Sequence, residues 1–341
     1  MKIAIFEVEE WERGAFMALE AAHEIVFSHD PIGAGNADEF SGAEVISTFI
    51  YSDLGADVLA RLKGLKLIAT RSTGFDHIDT GYCARKGVLV SNVPAYGDNT
   101  VAEHVFGLML MISHNLYESV ERTRKGDFSI KGLRGFDLLG KTLGVLGTGR
   151  IGRCVIEIAR GFRMDVLAYD IHPDNALAER LGFRYAPVEE VLSSSDIITV
   201  HLPATASTRD LISKKEFSMM KEGAVIINTA RGGIIDVQAL LEAVTKGRVR
   251  AAGLDVLPEE PSIREEAELI RSIAMKKPLE ALLADHVLLK HRNVYITPHN
   301  AFNTKEAVGR ILDTTVDNIA SYIRGAPKNI VAGYEFASTK G

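Results

Sequence analysis

The stretch Lys141-Thr-Leu-Gly-Val-Leu-Gly-Thr-Gly-Arg-Ile-Gly152 decides the fold. An apolar run leads straight into Gly147-x-Gly149-x-x-Gly152, and the residues that follow, 151–162, carry helical spacing. Each glycine has a mechanical reason. The first permits a tight turn, the second lets a pyrophosphate approach the backbone, and the third lets helix and strand pack closely. The helix start then offers N–H groups and the positive end of its dipole to phosphates. Arg150 and Ile151 sit in that first turn. A glycine triplet alone is weak evidence, but the next strand, Asp165-Val-Leu-Ala-Tyr-Asp170, ends in an acid 18 residues after Gly152. A carboxylate there accepts hydrogen bonds from the adenosine ribose hydroxyls and repels a 2′-phosphate. The pattern therefore predicts NAD rather than NADP, and Ile171-His172-Pro173 supplies no arginine to reverse that preference. A methyltransferase also joins a glycine-rich turn to a later acid, but it lacks the downstream elements described below.

Working outward, short continuous apolar runs alternate with helix-length segments. In the first third the runs are 2–6, 24–27, 45–50, 65–69 and 88–91. A second series covers 142–146, 165–169, 197–201, 224–228, 251–255 and 294–297. Continuous rather than alternating runs are the mark of parallel strands buried on both faces. The repeated strand, helix, strand order predicts an α/β protein with two doubly wound parallel sheets in tandem. Between the series, apolar residues recur at helical spacing over 99–125, which predicts one long linking helix. A last helix is expected over 304–324, stopped by Gly325 and Pro327. The charged stretch 261–292 interrupts the second series as an insertion, expected to be partly helical.

Composition narrows the function. The 341 residues suffice for two domains. A net charge of -6 without a long Lys or Arg run argues against nucleic acid and anionic membrane as partners. No apolar stretch is long enough to span a bilayer, and the start, MKIAIFEVEEWE, turns acidic where a signal peptide would not. Cys83 and Cys154 form neither a disulfide framework nor a zinc motif, so a cytoplasmic setting and no metal are expected.

Three segments in the second half place ionisable residues at the carboxyl ends of expected strands, where open α/β sheets bind ligands. They are Ile227-Asn-Thr-Ala-Arg-Gly-Gly233, Gly253-Leu-Asp-Val-Leu-Pro-Glu-Glu-Pro261 and Thr297-Pro-His-Asn-Ala-Phe302. On these ordered motifs, which span nearly the whole chain, the sequence resembles the D-2-hydroxyacid dehydrogenase family and its D-lactate dehydrogenase-like branch. The resemblance implies a catalytic arginine, glutamate and histidine in that order, falling on Arg231, Glu260 and His299. Glu259 competes with Glu260, but the family's acid immediately precedes the proline, which selects Glu260.

The chemistry fits those types. Reducing a 2-oxo acid needs a hydride at the carbonyl carbon and a proton at its oxygen. The imidazolium of His299 would give that proton and take one back in reverse. Glu260 would orient the ring and favour its charged form. Arg231 would grip the substrate carboxylate through paired hydrogen bonds and polarise the carbonyl.

The same resemblance assigns Thr73 and Gly74, in Arg71-Ser-Thr-Gly-Phe-Asp-His-Ile-Asp79, to backbone capture of the substrate carboxylate. It assigns Tyr51, Tyr96 (from Val93-Pro-Ala-Tyr96) and Phe302 to the pocket for the substrate side chain. An aromatic wall suits an apolar 2-oxo acid such as pyruvate, with phenylpyruvate or 2-oxoisocaproate as larger candidates. Cofactor contacts are implied at Thr100, His201, Leu202, Pro203, Thr229, Ala230, Arg231, Asp255 and His299, beside Gly147, Gly149, Arg150, Ile151, Gly152 and Asp170. His77, Asp79 and His104 are expected to be structural.

The implied architecture is a Rossmann NAD-binding domain, 101–299, inserted into a flavodoxin-like catalytic domain formed by 1–100 and 300–341. Substrate would lie in the cleft between them. The helix after Asn99 resembles the family's dimer-forming element, so a homodimer is expected. Two further readings stay open: a glyoxylate or hydroxypyruvate reductase, and an NAD-sensing co-repressor that keeps the same triad but binds partner proteins.

Overall fold

The structure, a computed structural model, describes residues 1–257 and 287–332. It divides into two compact units, Met1–Tyr96 with Thr304–Gly341, and Gly97–Asn303. The crossing points lie after Tyr96 and after Asn303. They put Thr100 and Phe302 in the second unit.

With strands numbered along the chain, the first unit holds β1 (Lys2–Ile5), β2 (Glu24–Phe27), β3 (Val45–Thr48), β4 (Leu67–Thr70), β5 (Leu89–Ser91) and β13 (Ile330–Ala332). Their order is β13-β5-β4-β3-β1-β2, all parallel except β13. The doubly wound order turns back between β1 and β3. Every residue of β3 and β4 is buried, as the continuous apolar runs require. Ile3, Phe6, Ile46, Leu67 and Ile68 are sealed from solvent. Each such side chain contributes about 1.5–3 kcal/mol.

The second unit holds β6 (Thr142–Leu146), β7 (Asp165–Tyr169), β8 (Arg184–Tyr185), β9 (Ile197–Val200), β10 (Ala224–Asn228), β11 (Val249–Leu254) and β12 (Val294–Ile296). The order β12-β11-β10-β9-β6-β7-β8 is that of a Rossmann sheet with one added parallel strand. Its turning point lies between β6 and β9.

The single long helix expected over 99–125 is instead two, Asp98–Ser113 and Leu116–Arg124. The break has a local cause. Asn115 takes a left-handed φ of 50°, and its side-chain amide donates to the Leu133 carbonyl at 3.1 Å. The returning chain then takes the Ser113 carbonyl through the Phe136 N–H at 2.9 Å. Two strands also escaped the apolar pattern: β8 has only two residues, and β13 is a three-residue edge strand. The C-terminal helix spans Lys305–Ile323, and the Thr304 side chain caps its start. Among the described residues no helix is long and apolar enough to cross a membrane.

The closeness of chain at the helix break makes Gly135 a sensitive position. A Cβ there would stand 1.9 Å from the Ser113 carbonyl oxygen. Gly135→Ala is expected to cost about 1–3 kcal/mol by overpacking, read as a lowered melting temperature. An unchanged melting temperature would show that the break does not depend on this approach.

Candidate active site

Strand register lines up the chemistry of the second unit along one edge of its sheet. Leu146 pairs Val200, Val200 pairs Asn228, Asn228 pairs Leu254, and Leu254 pairs Ile296. The next residues, Gly147, His201, Thr229, Asp255 and Thr297, therefore stand side by side at the carboxyl ends of five neighbouring strands. Asp170 follows β7 on the other side of β6. Ligands of open α/β sheets bind at such an edge, at the point where strand order reverses.

The glycine turn is built for close approach. Gly147 has a φ of +97°, and a Cβ there would lie 2.6 Å from the His201 carbonyl oxygen. A Cβ on Gly152 would lie 2.1 Å from the Gly147 carbonyl oxygen. A Cβ on Gly149 would meet only open space, so its surface is available to a ligand. Gly149 is also the N-cap of the helix Arg150–Gly161, and no side chain caps it. The described residues thus fit a dinucleotide pyrophosphate at this turn. Arg150 is anchored by Asp98 at 3.0 Å.

Asp170 does two jobs. One carboxylate oxygen accepts from the Thr148 N–H at 2.7 Å and the Thr148 hydroxyl at 2.9 Å; the other accepts from the His172 N–H at 2.9 Å. Partial burial opposes its charge, but the His172 and Thr148 donors outweigh it and hold the carboxyl below the usual range. The acid therefore ties the glycine turn to β7 as well as standing where a ribose would bind. Thr148 itself, a residue the sequence reading passed over, also meets the Tyr185 hydroxyl at 2.8 Å.

His201 lies at the end of β9 with its Nε2 2.9 Å from the Thr199 hydroxyl. Burial pushes its imidazole down to about 3, so the ring is neutral at physiological pH. Leu202 is half-buried and Pro203 exposed beyond it. After β10, buried Asn228 staples the Thr229-Ala230-Arg231 turn from within. Its Nδ2 donates to the Arg231 carbonyl at 3.0 Å, and its Oδ1 accepts from the Ala230 N–H at 3.0 Å. The Arg231 guanidinium donates to the Ala230 carbonyl at 2.8 Å. The buried Thr229 hydroxyl has no hydrogen-bond partner among the described residues. A bound ligand at this edge would relieve that cost.

His299 sits on a turn that the sequence marks only by its proline. Its φ of +53° is left-handed, which is costly for a non-glycine residue. The turn is held by the carboxylate of Asp255, which is 1% exposed. That carboxylate accepts from the Thr297 hydroxyl at 2.5 Å, the Asn300 N–H at 3.0 Å and the Ala301 N–H at 2.9 Å. The Thr297 hydroxyl has one proton and gives it to Asp255, so it accepts from His104 Nε2–H at 3.0 Å. His104 thus reaches from the helix Asp98–Ser113 to brace the His299 turn. Asp255 brackets that turn on both sides, a role its expected place among cofactor contacts did not reveal. Thr100 is buried about one turn before His104 on the same helix, and Phe302 is half-buried beyond the His299 turn. Glu259 and Glu260, and the insertion from Pro261 through residue 286, lie outside the described residues.

In the first unit, the Ser72–Gly74 turn is held through side chains and carbonyl oxygens. The Thr73 hydroxyl donates to the Val93 carbonyl at 2.7 Å, Asn92 Nδ2 donates to the Thr73 carbonyl at 2.8 Å, and the Ser72 hydroxyl donates to the Gly74 carbonyl at 2.6 Å. Asp79 caps the helix Thr80–Lys86 by accepting from the Tyr82 N–H at 2.8 Å. Burial lowers the pKa of His77 against the pull of Glu7 and Asp76. Tyr51 is exposed and Tyr96 half-buried; the Tyr96 carbonyl accepts from Arg310 Nε at 2.5 Å.

Known proteins give this arrangement a family. Residues 106–301 match the model of the D-isomer specific 2-hydroxyacid dehydrogenase NAD-binding domain. The chain is 34% identical over 329 residues to D-lactate dehydrogenase of Escherichia coli, covering 95% of this chain and 98% of that one. It is 34% identical over 301 residues to a glycerate dehydrogenase of Methylorubrum extorquens, covering 86% and 87%. The structure of D-lactate dehydrogenase from Aquifex aeolicus with NAD and lactic acid superposes with a TM-score of 0.84 at 34% identity, covering 96% of this chain and 98% of that one. The chain belongs to the D-isomer specific 2-hydroxyacid dehydrogenase family and is an NAD-dependent oxidoreductase of that family.

Proposed function

We propose that the protein reversibly reduces pyruvate, or a related apolar 2-oxo acid, to the D-2-hydroxy acid. The observation that carries this reading is the shared sheet edge of two fixed turns, Thr229–Arg231 stapled by Asn228 and the His299 turn bracketed by Asp255. Bound NADH supplies the hydride. His299 gives the proton to the carbonyl oxygen and takes it back in the oxidative direction. Arg231 grips the substrate carboxylate and stabilises charge developing on the carbonyl oxygen. Glu260 is assigned to steady the imidazole. Thr73 and Gly74 are assigned to the carboxylate through their N–H groups, and Tyr51, Tyr96 and Phe302 to the substrate side chain.

Gly147, Gly149, Arg150, Ile151 and Gly152 are assigned to the pyrophosphate and Asp170 to the ribose. Thr100, the His201-Leu202-Pro203 segment, Thr229, Ala230 and Asp255 complete the cofactor contacts, with Arg231 and His299 beside the nicotinamide. Relatives named for D-lactate and lactic acid support pyruvate; the relative named for glycerate supports hydroxypyruvate as a second substrate.

A homodimer and a reducing, cytoplasmic setting complete the reading. Leu116, Tyr117 and Val120 project from one helix, and Phe128 and Ile130, 81% and 87% exposed, follow it. Arg122 ties that following segment to the helix through the Lys131 carbonyl at 2.7 Å. A second copy would cover this apolar surface. Cys83 and Cys154 are both free thiols, and burial pushes Cys83 up to about 11, leaving it inert.

Four measurements test the reading. Rates with pyruvate, phenylpyruvate, glyoxylate and hydroxypyruvate, each with NADH and NADPH, are expected to favour pyruvate or phenylpyruvate with NADH and to yield the D isomer. Preference for hydroxypyruvate would move the assignment to the second substrate, and an L product would overturn it. His299→Ala is expected to lower kcat by about 10²–10⁴-fold while NADH affinity, read by fluorescence titration, stays within a few fold. Arg231→Ala is expected to lower kcat/KM for the 2-oxo acid by about 10²–10³-fold; full activity in both variants would remove these residues from the mechanism. Phe128→Asp with Ile130→Asp is expected to give a monomer by light scattering, and a wild type that is already monomeric would end the dimer assignment.

A further inference from the structure

The strand order of the first unit reverses between β1 and β3, which opens a crevice at their carboxyl ends. Here the chain fills the crevice with its own carboxylate. Glu7 follows β1 with a left-handed φ of 54°, which turns its side chain away from the path a strand would follow. One of its oxygens accepts from the Phe49 N–H at 2.9 Å and the Ser52 hydroxyl at 2.5 Å; the other accepts from the Tyr51 N–H at 2.7 Å. Three donors from four consecutive residues thus converge on one carboxylate. Ser52 passes the constraint on by accepting from the Ile32 N–H at 3.1 Å.

The backbone of Glu7 reaches a second segment. The guanidinium of Arg71, 2% exposed, donates to the Phe6 carbonyl at 2.7 Å and the Glu7 carbonyl at 2.6 Å, and to the Ser47 hydroxyl at 3.2 Å. Arg71 immediately precedes the Ser72–Gly74 turn, and its own N–H is fixed to the Thr48 carbonyl at 2.7 Å. Burial lowers its pKa, and the fields of Glu12 and Glu7 offset only part of that effect. One residue therefore joins the loop carrying Tyr51 to the turn carrying Thr73 and Gly74.

We propose that Glu7 is a positioning residue that sets substrate side-chain preference, by clamping the Phe49–Ser52 loop in register with the Ser72–Gly74 turn. The inference rests on the assignment of Tyr51, Thr73 and Gly74 to substrate. A carboxylate is required because every group facing it is a donor. In Glu7→Gln the amide has one acceptor oxygen and one NH₂. With the oxygen placed on the Phe49 and Ser52 side, the NH₂ opposes the Tyr51 N–H, and the loop loosens at Tyr51. The loop then loses its fixed relation to the turn that follows Arg71, whose own bonds go to the Phe6 and Glu7 carbonyls, while the side chains of the second unit are unchanged.

Two readouts on the full chain decide the matter. Amide hydrogen exchange is expected to quicken at least tenfold at Tyr51 in Glu7→Gln, with Ile46 and Ile68 unchanged. Across pyruvate, 2-oxobutyrate, 2-oxohexanoate and phenylpyruvate, the ratio of best to poorest kcat/KM is expected to shrink at least fivefold, through KM, at unchanged NADH affinity. Ile46→Val, which weakens the same sheet from its core, is expected to leave that ratio alone. Unchanged exchange at Tyr51, a preserved ratio, or an equal change in Ile46→Val each overturns the proposal. Should Glu7→Gln not fold, Glu7→Asp keeps the charge but loses a methylene of reach and carries the same expectations. A wild type that reduces no 2-oxo acid overturns the proposed function, and the exchange measurement then still decides for or against the clamp.

Discussion

The carboxylate of Asp255 is the interaction on which the candidate site depends. It is sealed from solvent at the end of β11 and takes three donors from the chain that follows β12. Those bonds help to offset the cost of the left-handed backbone of His299. Burying a carboxylate is unfavourable unless hydrogen bonds compensate, and here they come from the very turn that must be fixed. The parallel register places Thr297 beside Asp255, so the sheet supplies the proximity and the carboxylate supplies the geometry. His104 completes the arrangement from a helix, through Thr297.

The same device recurs in both units. Asp170 gathers the Thr148 donors, Asn228 staples the Arg231 turn, and Glu7 gathers Phe49, Tyr51 and Ser52. In each case a polar side chain at the end of a parallel strand organises a turn that carries a candidate ligand contact. Parallel strands end together on one side of the sheet, and their last residues leave the ladder with unsatisfied groups. Side chains that satisfy those groups also hold the turns still, which is what preorganised binding needs.

Much of this was legible from residue order. Continuous apolar runs marked eleven of the thirteen described strands because burial on both faces leaves no room for alternation. The glycine triplet and Asp170 announced their turn because only glycine tolerates the approaches at Gly147 and Gly152. The break at Asn115 was invisible because it depends on chain returning from residues 133–136. β8 and β13 were too short to carry a pattern. The roles of Glu7, Asn228 and Asp255 were hidden for one reason: each acts on backbone N–H groups, which every residue but proline possesses. Glu7 and Asp255 act over separations of more than forty residues, so no local motif could announce them.

The antiparallel strand β13 carries a consequence for how the chain is made. β5 gains its outer neighbour only through Ile330 and Ala332, after all of Gly97–Asn303 has left the ribosome. Until then the edge of the first sheet is bare, while the inserted unit already has all its described strands. The buried side chain of Asn318 bonds the Asn92 carbonyl, and Asn329 bonds Asn318, so the last elements close this edge together. Synthesis therefore leaves the nascent first lobe adhesive for the time needed to translate some two hundred residues, about 10–40 s at ordinary elongation rates.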